Sequence, residues 1–129
     1  MPADADSVSV LTVDDQPFFR AAAREVIETT AGFESVGEAA SGEEALRLVD
    51  ECEPRLVLVD VRMPGMDGVE TARRIKAEHP EVLVVLISIE ERANLPSEVE
   101  TADAELVRKQ DFCPALLRSL WLNRAGAAH

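Results

Sequence analysis

Short apolar runs alternate with stretches of helical spacing along the 129 residues. The runs are "VSVLTVDD" (Val8 to Asp15), "ESVGEA" (Glu34 to Ala39), "RLVLVDV" (Arg55 to Val61), "VLVVLIS" (Val82 to Ser88) and "AELVRK" (Ala104 to Lys109). Three of them are nearly continuous in Val, Leu and Ile, the pattern of strands covered on both faces. Between the runs, "FFRAAAREVIETT" places Phe19, Ala22, Ala23, Val26 and Ile27 on one helical stripe. "SGEEALRLVDEC" opens on Ser41 as N-cap with Glu44 three residues on, a capping-box pattern. "DGVETARRIKAEH" begins behind Asp67, carries Val69, Ala72 and Ile75, and is stopped by Pro80. The last segment, "PALLRSLWLNRA", groups Leu116, Leu117, Leu120 and Trp121.

The fourth helical segment, "EERANLPSEVETAD", has a thin stripe interrupted by Pro96, so it is expected to be short, distorted or mobile. Five strands and about five helices in strict alternation imply an α/β domain: a parallel sheet with helices on both faces. No repeat or linker divides the chain. Residues 1–129 therefore read as one domain, with a core of about 8–124 and a frayed tail in "NRAGAAH".

Composition narrows the function more than the fold. With 47% hydrophobic and 29% charged residues the chain can bury a core. A net charge of -12 argues against nucleic acid or an anionic membrane as partner, since either calls for a surplus of Lys and Arg. Cys52 and Cys113 stand apart without metal-ligand spacing and read as free thiols in a reducing compartment. "MPADADS" is not a signal peptide, and no apolar run reaches the roughly 18 residues of a membrane span. The cytoplasm is the expected location.

Ligands of open α/β sheets bind beyond the carboxyl ends of the strands. Here those ends carry Asp14-Asp15, Asp60, Ser88 and Lys109. Each has a bland alternative. Asp15, before Gln16-Pro17, could cap a helix. Asp60 could close an Asx turn, and Ser88 and Lys109 could be surface residues. Three converging carboxylates, however, repel one another unless a cation or a raised pKa relieves them. A hard divalent cation such as Mg²⁺ suits that donor set. Metal, lysine and hydroxyl around one carboxylate make a site for a phosphoryl group, with the aspartate as attacking nucleophile.

The acidic pair, "LVLVDVRMPGMDG", "VLIS" and the lysine after the fifth strand resemble the receiver domain of bacterial two-component response regulators, over about Val8 to Arg124. "DDQPFFR" and "RMPGMDGVETARRI" look most like receivers of the LuxR/NarL-type subfamily. The resemblance implies a flavodoxin-like (βα)5 doubly wound sandwich with strand order 2-1-3-4-5. It implies Asp60 as phosphoacceptor, served by a histidine kinase or a small acyl phosphate. Asp15, Asp60 and the Arg62 backbone carbonyl would ligate Mg²⁺, with Asp14 acting mainly through water. Ser88 would bond one phosphoryl oxygen and Lys109 would pair with another, while Pro64 and Gly65 shape the loop.

Several residues depart from that pattern. Leu106 occupies the place of the usual aromatic switch residue, Gln110 follows the lysine, and Ile89, beside Ser88, is expected to crowd access. From Glu90 to Glu105 six acids (Glu90, Glu91, Glu98, Glu100, Asp103 and Glu105) face one Arg92, which favours a basic partner. Phosphoryl chemistry is thus expected to be retained and readout altered. The downstream partner would be another protein or an output domain beyond His129. The last helix and the fourth-helix face are the surfaces open to homodimer formation. His79, Met63, Met66 and Trp121 read as structural. Two other classes compete. An aspartyl-phosphate phosphohydrolase would carry an acid two residues after the nucleophile, where Arg62 stands, and a flavodoxin-like cofactor binder would need a Gly- and hydroxyl-rich first loop, where "DDQPFF" stands.

Overall fold

The computed structural model describes residues 7–91, 94–95, 97–101 and 104–127. Strands β1 (Val8–Val13), β2 (Phe33–Ala39), β3 (Leu56–Asp60), β4 (Leu83–Ser88) and β5 (Glu105–Arg108) form one parallel sheet in the order β2-β1-β3-β4-β5. Helices α1 (Pro17–Glu28), α2 (Gly42–Cys52), α3 (Gly68–Glu78), α4 (Glu98–Thr101) and α5 (Pro114–Ala127) connect and follow them.

The continuous apolar runs resolve into two interleaved half-runs, because successive strand side chains face opposite ways. Leu11, Val13, Val57, Val59, Val84 and Leu86 join Ala45 and Val49 of α2 and Ala72 and Ile75 of α3 in one core. Val8, Val10, Leu56, Leu58, Val85 and Ile87 join Ala23 and Ile27 of α1 and Leu117 and Leu120 of α5 in the other. On α1 the inward stripe runs through buried Ala23 and Ile27 and half-buried Phe19 and Val26, whereas Ala22 is exposed. At 100° per residue Ala22 falls just off the sheet-facing side.

Helix starts follow local chemistry. Ser41 Oγ accepts the Glu44 N–H at 3.1 Å, while the Glu44 carboxylate reaches the Ala40 N–H at 2.8 Å, one residue upstream of the usual capping-box donor. Asp67 accepts the Glu70 N–H at 2.9 Å. Helix α3 ends at Glu78, with His79 as C-cap before Pro80. Helix α5 continues through Ala127, so the described part of the expected frayed tail is helix, while Ala128 and His129 lie outside the described residues. Among the described residues α4 covers a single turn, in keeping with its thin stripe. Arg92, Pro96 and Asp103 lie outside the described residues.

Candidate functional site

Register brings the strand ends together. Val13 pairs with Val59, which puts Asp14 beside Asp60. Asp60 pairs with Ile87, so Ser88 comes next, and Ser88 pairs with Arg108, one residue before Lys109. Asp15, Asp60, Ser88 and Lys109 border one crevice, together with Phe18, Phe19, Arg62, Ile89 and Glu90.

Asp14 is fully buried. Its Oδ1 accepts the Gln16 N–H at 2.8 Å, and its Oδ2 lies 2.6 Å from Lys109 Nζ. Its backbone carbonyl accepts from Arg20 Nη1 at 2.6 Å. Lys109 Nζ also stands 3.6 Å from Asp60 Oδ2 and 4.7 Å from the centre of the Phe19 ring. The ammonium is thus held by two carboxylates and an aromatic face. The Asp60 Oδ1 accepts a long bond from the Arg62 N–H at 3.4 Å, so the Asx-turn reading has a real, weak counterpart. Ser88 Oγ accepts the Glu90 N–H at 2.9 Å, which leaves its own proton available to a ligand.

Behind Asp60 the chain turns sharply. Gly65 has φ +75°, a conformation that favours glycine. At Gly68 the reason is contact: a Cβ there would lie 1.9 Å from the Asp60 carbonyl oxygen. The Gly68 N–H donates to the Val61 carbonyl at 3.0 Å, which fastens the start of α3 to the end of β3.

Carboxylate oxygens of Asp14, Asp15 and Asp60 lie within 4.8 Å of one another. Burial, then the neighbouring Asp14, pushes the Asp60 carboxyl up from 3.8 to about 6, and Asp15 adds to the rise. Lys109 and the Arg62 N–H pull it back only in part. One lysine does not neutralise three acids. The donor set is all oxygen, compact and short of positive charge, which fits a hard divalent cation.

Other expectations fare variously. Asp15 does not cap α1: the N-cap is Gln16, which makes no side-chain capping bond, and Pro17 follows at N1. Ile89 borders the crevice beside Ser88 and is 70% exposed, so its side chain stands at the mouth. Leu106 is half-buried against the core shared by α2 and α3. Met63 packs in that same core. Both cysteines are free thiols. His79 bridges to Asp50 of α2, Nε2 to Oδ1, at 2.9 Å. Trp121 lies between Arg55, 4.9 Å from its ring centre, and Arg124 at 3.5 Å. Sequence reasoning missed Phe19 and Arg20 as supports of Lys109 and Asp14. The only signal was their place one turn into α1, directly behind the acidic pair. It also missed the side-chain pairing of Arg62 with Glu90, 28 residues apart.

A five-stranded doubly wound sheet with an acidic crevice at its carboxyl edge defines a ligand-binding α/β class. More narrowly, the chain belongs to the response regulator receiver domain family, whose profile matches residues 10–117. It is 36% identical over 97 residues to the response regulator GacA of Pseudomonas viridiflava, covering 75% of this chain and 45% of that protein. It is 33% identical over 118 residues to a protein-glutamate methylesterase/protein-glutamine glutaminase of Pseudoalteromonas atlantica, covering 92% of this chain and 30% of that one. The chain therefore spans less than half the length of these curated relatives.

Among solved structures, a LuxR-family two-component response regulator from Aurantimonas sp. SI85-9A1 superposes with a TM-score of 0.79 at 29% identity, over 93% of this chain and 86% of that one. The response regulator domain of Thermotoga maritima CheB gives 0.76 at 26%, over 90% and 95%. The fold is thus the flavodoxin-like receiver fold in the order 2-1-3-4-5. The chain is a receiver domain of two-component signalling, a family that accepts phosphate on aspartate from histidine kinases, generally binds Mg²⁺ at an acidic pocket and pairs with output domains. Among the described residues no helix is long and apolar enough to cross a membrane.

Proposed function

We propose that Asp60 is the phosphoacceptor of a single receiver unit spanning residues 1–129, and that its signal is read out atypically. The observation that supports this most is the Asp60 carboxylate beside Asp14, Asp15 and Lys109, with Ser88 and Arg62 on the same crevice. An Asp60 Oδ attacks the phosphorus of a phosphohistidine or a small acyl phosphate, so an O–P bond forms as the donor's bond to phosphorus breaks. Lys109 pairs with a phosphoryl oxygen, and Ser88 Oγ donates its proton to another. Asp15, Asp60 and the Arg62 carbonyl would hold Mg²⁺, with Asp14 acting through water. Bound there, Mg²⁺ neutralises charge on the acids and on the phosphoryl oxygens.

The chain performs no turnover beyond its own phosphorylation and dephosphorylation. It works in the cytoplasm, with a partner protein or a LuxR-type output domain downstream. Readout is atypical because Leu106 has no ring to swing behind Ser88 and α4 covers one turn among the described residues. The test is incubation with acetyl phosphate and Mg²⁺. One hydroxylamine-labile phosphoryl group is expected, absent from Asp60→Asn; an adduct that persists in that variant refutes the assignment.

A further inference from the structure

The Arg62 side chain crosses the mouth of the crevice. Its Nε lies 2.5 Å from Glu90 Oε1, and its Nη2 donates to the Asn94 carbonyl at 3.3 Å. Glu90 is itself tied by its N–H to Ser88 Oγ at 2.9 Å. Two residues ahead of α4 are therefore held by groups that border Asp60. Arg62 is about half exposed and Glu90 about a third, so their pairing can be exchanged at little cost.

A phosphoryl group on Asp60 changes the competition. It brings a charge of about -1.5 to -2 against the single charge of Glu90, on acceptor oxygens that fit a guanidinium fork as a carboxylate does. The same charge repels Glu90. Lys109 is shared, since Asp14 lies 2.6 Å from its Nζ and the Phe19 ring lies against it, so a second cation finds charge left to meet.

Building on the assignment of Asp60 as phosphoacceptor, we propose that the Arg62 guanidinium is a second cationic contact for the phosphoryl group. Its transfer from Glu90 and Asn94 to the phosphoryl oxygens releases both residues. This gives the domain a readout that needs no aromatic ring at Leu106.

The experiment uses the whole 129-residue chain with Mg²⁺ and beryllofluoride, a phosphoryl mimic, followed by nitrogen and fluorine NMR. The Arg62 Nε–H resonance should move on addition, and the Glu90 and Asn94 amides should exchange about two- to fivefold faster, the range set by loss of an exposed ion pair. In Arg62→Ala these amides should be fast beforehand and insensitive to beryllofluoride, although the fluorine spectrum still reports it bound. In Glu90→Gln they should also be fast beforehand, while the Arg62 resonance still shifts. An Arg62 resonance unmoved at saturation, or amides in Arg62→Ala that respond as in the wild type, overturns the proposal. Absence of bound beryllofluoride in the wild type overturns it together with the Asp60 assignment.

Discussion

Asp60→Asn is expected to stabilise the metal-free protein, and to do so only above acidic pH. Burial and Asp14 lift the Asp60 carboxyl to about 6 against 3.8 for the free side chain. The folded state therefore binds this proton more tightly than the unfolded state does. The resulting stability is fully present below about pH 4 and is lost as pH rises through about 6. Above that, the ionised carboxylate is a net burden. The undiscounted shift corresponds to about 3 kcal/mol, but the carboxylate borders an open crevice, and screening reduces this to about 1–2 kcal/mol. Asparagine keeps the shape and is neutral throughout. Urea unfolding in EDTA should show the variant equal to the wild type near pH 4 and about 1–2 kcal/mol more stable near pH 8, or roughly 3–7 °C in Tm. Mg²⁺ at about ten times its Kd should return about 1.4 kcal/mol to the wild type alone. A variant less stable than the wild type near pH 8 without metal, or a difference that does not vary with pH, would refute this account of the acidic crevice.

Three further outcomes follow from contacts around the site. Lys109→Ala leaves the buried Asp14 carboxylate without its cation and should cost about 2–4 kcal/mol in urea unfolding, as well as slowing phosphoryl uptake. Gly68→Ala forces a Cβ against the Asp60 carbonyl and should cost about 3 kcal/mol in thermal unfolding, with loss of acetyl phosphate reactivity. Glu53, the C-cap of α2, sits in the left-handed region at φ 49°. Its replacement by glycine should raise stability by about 0.5–1 kcal/mol in the same assay while leaving phosphorylation unchanged.

The sheet and its two flanking layers were legible because strand and helix periods differ and every apolar run was short enough to be one strand. The strand ends were legible too, since parallel connections send every carboxyl end to one edge. The resemblance then supplied roles that spacing alone left open between caps, turns and ligands. What the chain did not disclose were pairings set by packing: Arg20 on the Asp14 carbonyl, Phe19 under Lys109, His79 on Asp50 and Arg62 on Glu90. Such partners lie on different elements, and nothing in local periodicity chooses one arginine over another. The two local errors have local causes. Ala22 is one position off a stripe of alanines that read alike, and nothing in the composition of the tail marked where α5 would stop.

The absence of a side chain at Gly68 has a mechanical consequence. With Gly68 closed against the Asp60 carbonyl and its N–H bound to Val61, the end of β3 and the start of α3 are fastened together. Room for a larger group on Asp60 therefore lies ahead of it, in the crevice bordered by Ser88 and Glu90. The domain is therefore directional. A group added to Asp60 is open to a partner from the Ser88 and Glu90 side and is closed off on the side of Gly68.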